Sequence, residues 1–234
     1  DGLLYENAME LVASVIPKPT VQQLVQILRQ ALPRLWQMGL TGVHDFDRRD
    51  CFAALQILHA EGDLNLRVLK SIPLDELPLA VGLGLQRGFG DDMLRIGSVK
   101  AFMDGALGPQ TAAMLAPYEG TAGELGILMM DAEEIFEHAR LAAENGLSMA
   151  VHAIGDRAVH EILDAYEHLR IYERQNLGSP DLRHRIEHVQ VIHPKDAGRL
   201  AELGVIASMQ PLHATSDMYM ADHHWGYRAA LSYA

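Results

Sequence analysis

The chain has 234 residues, 49% hydrophobic and 21% charged, with a formal net charge of −12. That length supports one large α/β domain or two small ones, and the composition is that of a packed protein rather than a disordered one. The acidic balance excludes nonspecific nucleic-acid binding, which needs a basic surface to displace counterions.

Cys51 is the only cysteine, so no intrachain disulfide and no CxxC zinc site can form. A transition metal would have to take His, carboxylate or modified Lys ligands, and the chain carries 12 histidines. No run of 18 apolar residues is present, so no transmembrane helix and no membrane partner are expected. A cytoplasmic protein is the expectation, and the start at Asp1 without Met leaves room for a signal peptide upstream.

In chain order, residues 1–40 read as a helical lead-in. TVQQLVQILRQALPRLWQMG offers Thr20 as N-cap and Gly39 as stop, with Pro33 expected to break it into two shorter helices. Six β-rich runs follow: 40–46, 64–72, 94–102, 147–154, 184–192 and 204–211. Between them lie CFAALQILHAEG, AEEIFEHARLAAENG, RAVHEILDAYEHLRIYERQ and PKDAGRLAELG, with apolar residues at helical spacing. Three of these end at Gly62, Gly146 or Gly204, the residue type that accepts the left-handed turn past a helix. Strand and helix in alternation imply a mostly parallel sheet with right-handed crossovers.

The spacing of the runs matches the repeat of a (β/α)8 barrel, so the fold class expected is α/β, an incomplete TIM-type barrel of about six parallel strands, forming a single partial domain over 1–234. A doubly wound open sheet gives the same alternation. Its glycine-rich phosphate loop should follow a strand, whereas GLGLQRGFG, residues 82–90, precedes one. Residues 104–130 are too long and too rich in Gly and Pro for a turn and read as a long loop insertion, a feature usually tied to function.

Catalytic groups of such barrels gather at the C-terminal ends of strands. Lys100, His152 and His188 each end an apolar run. Neutral imidazole is the commonest nitrogen ligand of a metal, and the two histidines lie on consecutive strands; either one alone would also suit a buried, hydrogen-bonded role. Lys100 reads as a lysine reaching solvent or, if burial deprotonates it, as an amine able to take up carbon dioxide.

Weaker candidates for substrate or ligand-orienting roles are Asp104, Asp156, Gln210 and His213, with Asp156 also placed to cap the following helix. His44 and Asp45 end an earlier strand. Glu187 alternates away from His188 and reads as an ion-pair partner of Arg183 or Arg185.

Three segments, VKAFMDGALGPQTAAMLAPY, VHAIGDRAVHEILDAYE and LRHRIEHVQVIHPKDAGRLAELGVIASMQPLH, resemble the amidohydrolase superfamily in its YtcJ-like branch, amidohydrolase family 3, and the likeness runs from DGLLYENAMELV to WGYRAALSYA. The resemblance implies a barrel that hydrolyses amide, urea or ester-like bonds, mainly nonpeptide carbon–nitrogen bonds of small molecules, with one or two divalent metals, commonly zinc. It implies Lys100 as the carboxylated-lysine position and His152 and His188 as metal ligands.

The family's His-x-His pair is absent, and no strand-borne aspartate follows WGYRAALSYA, read as a terminal helix. The chain therefore reads as a fragment lacking strands 1 and 8, without its general base and inactive alone. The other readings are a noncatalytic barrel piece that binds or self-assembles through exposed sheet edges, and an unrelated α/β enzyme with a phosphorylated substrate.

Overall fold

The computed structural model describes residues 2, 4, 6–178 and 181–232, of which Glu6, Asn7 and Leu231 contribute backbone only. In chain order the helices are α1 (Glu10–Ala13), α2 (Val21–Gln37), α3 (Arg49–Ala60), α4 (Leu77–Gly82), α5 (Ala132–Glu144), α6 (Asp156–Asn176), α7 (Ala197–Glu202), α8 (His213–Ser216) and α9 (Met218–Trp225). The strands are β1 (Gly42–Asp45), β2 (Arg67–Pro73), β3 (Leu94–Phe102), β4 (Met149–Ala153), β5 (Arg185–His188) and β6 (Ile206–Ser208).

Five of the six strands fall inside the expected apolar runs, and β2 passes the end of its run by one residue, at Pro73. Their order in the sheet follows the sequence, and the pairs β1/β2, β3/β4, β4/β5 and β5/β6 are parallel. This is the pattern of an incomplete (β/α)8 barrel. The chain divides into two compact units, Asp1–Ser98 and Val99–Ala234, with the division inside β3.

In the first unit α2 starts on a capping box. Thr20 Oγ1 accepts from the Gln23 amide at 3.2 Å and Gln23 Oε1 accepts from the Thr20 amide at 2.8 Å. Contrary to the expected break, α2 runs through Pro33 as one 17-residue helix. Proline inside a helix costs about 3 kcal/mol. Val25 and Leu32 are buried and Leu28 and Leu35 pack beside them against Leu55 and Leu58 of α3, and each such side chain returns roughly 1.5–3 kcal/mol. This shared apolar stripe holds the two halves of the helix together.

In the second unit β4 is almost wholly buried, and α6 covers it with Val159, Ile162, Leu163 and Tyr166. A buried polar network ties α6 to the starts of the strands. His184 Nδ1 accepts from the Met149 amide at 3.1 Å while its Nε2 donates to Glu173 Oε1 at 2.9 Å, and Arg170 Nη1 holds Glu173 Oε2 at 2.7 Å. Catalysis in these folds belongs to the opposite ends of the strands, so this network serves stability.

The helix stops at Gly62, Gly146 and Gly204 take positive φ, as their position past each helix requires. WGYRAALSYA is not an α-helix: α9 ends at Trp225, Gly226 turns the backbone at φ 55°, and Gly226–Leu231 is a 3-10 helix. Ser232 then bridges Val191, and Tyr233 and Ala234 lie outside the described residues.

Residues 104–130 are packed rather than loose. Leu107, Met114 and Tyr118 form a small core with Ile154, Trp225 and Ala229. Arg228 donates to the carbonyls of Ala116 at 2.6 Å and Pro117 at 2.5 Å.

Candidate metal centre

The β3/β4/β5 register decides which side chains share a face. Lys100, Ala150 and Arg185 stand abreast, and two residues on come Phe102, His152 and Glu187. Alternation along a strand then puts Lys100, His152, Arg185 and Glu187 on one face. Lys100 is buried, with Nζ 3.6 Å above the Phe102 ring and donating to the Ala101 carbonyl at 2.8 Å. Burial lowers its pKa to about 8, Glu187 opposing that shift and Arg185 adding to it, so a useful fraction of the amine is neutral near physiological pH.

His152 Nε2 lies 2.8 Å from the Gly105 carbonyl oxygen and 3.4 Å from Asp104 Oδ1. Both neighbours are acceptors, so the proton sits on Nε2 and the lone pair on Nδ1. Burial pushes the His152 pKa down to about 4, with the Gly105 hydrogen bond opposing and His188 and Lys100 adding. The ring is therefore neutral at ordinary pH, the form that ligates a metal.

His188 reaches the same place by a different route. Its register partner is Ala153, not His152, which assigns it to the other face of the sheet. The backbone resolves this by taking φ 74° at His188 and φ 50° at Val189, left-handed values that end β5 four residues short of the predicted run. Such conformations cost non-glycine residues of order 1–3 kcal/mol and concentrate at functional sites. The result brings the His188 ring to 4.6 Å from that of His152, centroid to centroid. Burial lowers the His188 pKa, with a Gln210 hydrogen bond opposing.

Asp104 is fully enclosed and works mainly on backbone. Oδ2 accepts from the amides of Ala113 at 2.9 Å and Gly155 at 2.8 Å, and Oδ1 from that of Ile154 at 3.0 Å. It locks the start of the long loop onto the β4–α6 turn beside His152. Asp156 makes no capping bond; it is the first residue of α6 and accepts from the Leu115 amide at 2.8 Å, a second clamp on the same loop. Gln210 Nε2 donates to the Ser208 carbonyl at 3.0 Å. The His213 ring lies 5.7 Å from that of His188.

Glu187 forms a bidentate pair with Arg185, at 2.5 and 3.0 Å, and is buried on the face that carries His152. In the first unit, Asp45 pairs with buried Lys70 at 2.7 Å, while His44 is exposed. Asp45, Asp47 and Cys51 are the one group of three His, Cys, Asp or Glu donors within 4.8 Å among the described residues. The Lys70 ammonium, which also donates to the Asp47 carbonyl, already supplies the positive charge there.

Sequence reading missed three things at this site. The Gly105 carbonyl is backbone and has no residue signature, the strained turn at His188 runs against residue preference, and Asp217 shows itself only through its hydrogen bond with His213 Nδ1 at 2.5 Å.

Two neutral, partly buried imidazoles and a partly neutral amine at adjacent strand ends form a donor set that suits a borderline divalent cation such as zinc. The fold is that of an amidohydrolase: the chain matches the amidohydrolase family over residues 1–234 and belongs to it. Among its relatives, Protein LONG AFTER FAR-RED 3 of Arabidopsis thaliana is 32% identical over 228 residues, covering 92% of this chain and 38% of that protein. Putative amidohydrolase YtcJ of Bacillus subtilis is 28% identical over 229 residues, covering 92% and 40%. The crystal structure of an uncharacterized metal-dependent hydrolase from Pyrococcus horikoshii superposes with a TM-score of 0.85 at 30% identity, covering 97% of this chain and 45% of that one. The chain thus spans less than half the length of each.

Proposed function

We propose that this chain contributes Lys100, His152 and His188 to the centre of a metal-dependent hydrolase that cleaves a carbon–nitrogen bond of a small amide or urea, or an ester-like carbonyl. The observation that carries the reading is the convergence of the His152 and His188 rings at 4.6 Å, achieved at the expense of left-handed backbone at His188 and Val189. A bound divalent cation, zinc by ligand type, supplies Lewis acidity and acidifies water.

The chain's own residues prepare for it. The Gly105 carbonyl fixes the His152 tautomer, burial keeps both rings uncharged, and Asp104 fixes the loop that carries Gly105. The neutral Lys100 amine takes up carbon dioxide with loss of one proton, giving a carboxylate-like carbamate. The set has no His-x-His pair and no assigned general base, so we take this chain by itself to turn over no substrate.

Dialysis against zinc followed by elemental analysis tests the assignment. The expected result is bound zinc in the parent chain and at least a tenfold weaker affinity in His152→Ala and in His188→Ala. Zinc retained at the parent level by both variants overturns it. A carbamate signal in 13C NMR after equilibration with labelled bicarbonate, absent in Lys100→Met, tests the lysine.

A further inference from the structure

Residues 88–96, which take in the end of the glycine-rich stretch and the start of β3, form a tight hairpin. The Gly88 amide donates to the Ile96 carbonyl at 2.7 Å, the Ile96 amide to that of Phe89 at 2.9 Å, and the Asp91 amide to that of Leu94 at 3.1 Å. Gly90, at φ 121°, pairs with Arg95 across the hairpin, and a Cβ there would stand 2.1 Å from the Leu94 carbonyl oxygen. Asp91 braces the turn. Its Oδ1 accepts from the amides of Met93 at 2.8 Å and Leu94 at 3.0 Å, and its Oδ2 lies 2.7 Å from His59 Nε2 on α3. These bonds, the Leu94 and Met93 amides first and His59 next, hold the Asp91 carboxyl below its usual range, so its charge is met by the protein's own donors.

The hairpin and α3 enclose a cleft of about 300 Å3 within the first unit. Phe52 and His59 line it from one face of α3, and buried Leu94 and Ile96 line it from β3. Phe89 lines it too and is 70% exposed, although the backbone on either side is hydrogen-bonded. Its exposure comes from where the hairpin holds it and not from slack. Arg95, also exposed, is at the same cleft, and its guanidinium makes no hydrogen bond or ion pair with any described residue.

We propose that this cleft binds a small monocyclic aromatic carboxylate, with its ring against Phe52 and Phe89 and its carboxylate on Arg95. Small-molecule sites combine apolar and aromatic walls with a few polar groups. Here the charge left unmet is a guanidinium, which matches a carboxylate bidentately, and the two phenylalanines favour an aromatic neighbour. A cation would meet Arg95, and a small aliphatic anion would leave the aromatic walls in water. The site draws on none of the residues of the metal centre and stands without it.

The test is an NMR titration of the whole chain, followed on its backbone amides, with benzoate, acetate and benzamide after chelator treatment, so that no zinc competes for the carboxylate. Benzoate is expected to bind with a dissociation constant of about 1 mM, the range open to a ligand of its size, and to shift the amides of the hairpin and of α3. Acetate lacks the ring and benzamide the charge, and each should bind at least about tenfold more weakly. Arg95→Gln should remove the advantage of benzoate over benzamide, and Phe89→Ala that of benzoate over acetate. Both side chains are exposed, so the melting temperature should stay unchanged. Benzoate and benzamide binding alike in the parent chain, an advantage that survives in Arg95→Gln, shifts confined to other segments, or no shift at roughly 10 mM benzoate would each overturn the inference.

Discussion

His152 shows how one side chain's surroundings set its chemistry. Burial lowers its pKa from 6.5 to about 4, while in the unfolded chain the imidazole returns to its ordinary value. Between those two pH values the unfolded state binds a proton that the folded state refuses, so folding stability falls as the pH drops through this window. At about 1.4 kcal/mol per pH unit, the loss amounts to about 3 kcal/mol when acidification reaches the folded value. Urea unfolding of the chelator-treated protein across this range should show that slope, and His152→Gln should remove it while leaving stability above pH 6.5 little changed. Parallel acid limbs in the two proteins would mean that the ring is not desolvated as described. The strand-end position of this residue is legible in VHAIGD, but its tautomer is not, because the Gly105 carbonyl that sets it belongs to the backbone of a distant loop.

At the level of elements, the turn between β4 and α6 leaves no room for a side chain at Gly155. A Cβ on Gly155 would stand 2.0 Å from the Ala113 carbonyl oxygen, because Asp104 draws the Ala113 and Gly155 amides onto one carboxylate. No side-chain rotation relieves a clash with backbone, so Gly155→Ala should destabilise by about 3 kcal/mol and release the 104–130 segment to proteolysis. Denaturant melts and limited trypsin digestion would read both effects; an unchanged melt with an intact loop would contradict this geometry. Periodicity revealed the six strands and four of the interstrand helices, α3, α5, α6 and α7. It missed α4, α8 and α9, which are short and rely on packing against neighbours rather than on a long apolar stripe. It also let β5 run to 192, since nothing in EHVQ announces left-handed backbone at His188 and Val189.

For the whole molecule, alternation and strand order were legible because each apolar run must be buried by the amphipathic helix that follows it, whereas the packing of the long insertion with α9 and the 3-10 helix was not. That contact depends on Arg228 reaching the carbonyls of Ala116 and Pro117 across more than a hundred residues of sequence. The sheet order begins at β1 and ends at β6, and an edge strand offers unpaired amides and carbonyls to another chain. At β6, the Ile206 amide donates inward to the His184 carbonyl at 3.0 Å, so alternation turns the Ala207 amide outward, away from β5. Self-association through this edge is therefore expected, and it should be weak because β6 has only three residues. Sedimentation equilibrium should show a reversible shift toward dimer with rising concentration. Ala207→Pro deletes an outward donor without touching the β5 ladder, a substitution that edge strands tolerate, so it should abolish the shift and leave the melting temperature nearly unchanged. A dimer that persists in Ala207→Pro would place the contact elsewhere, and a parent chain that stays monomeric at every concentration would show that a three-residue edge is too short to recruit a partner.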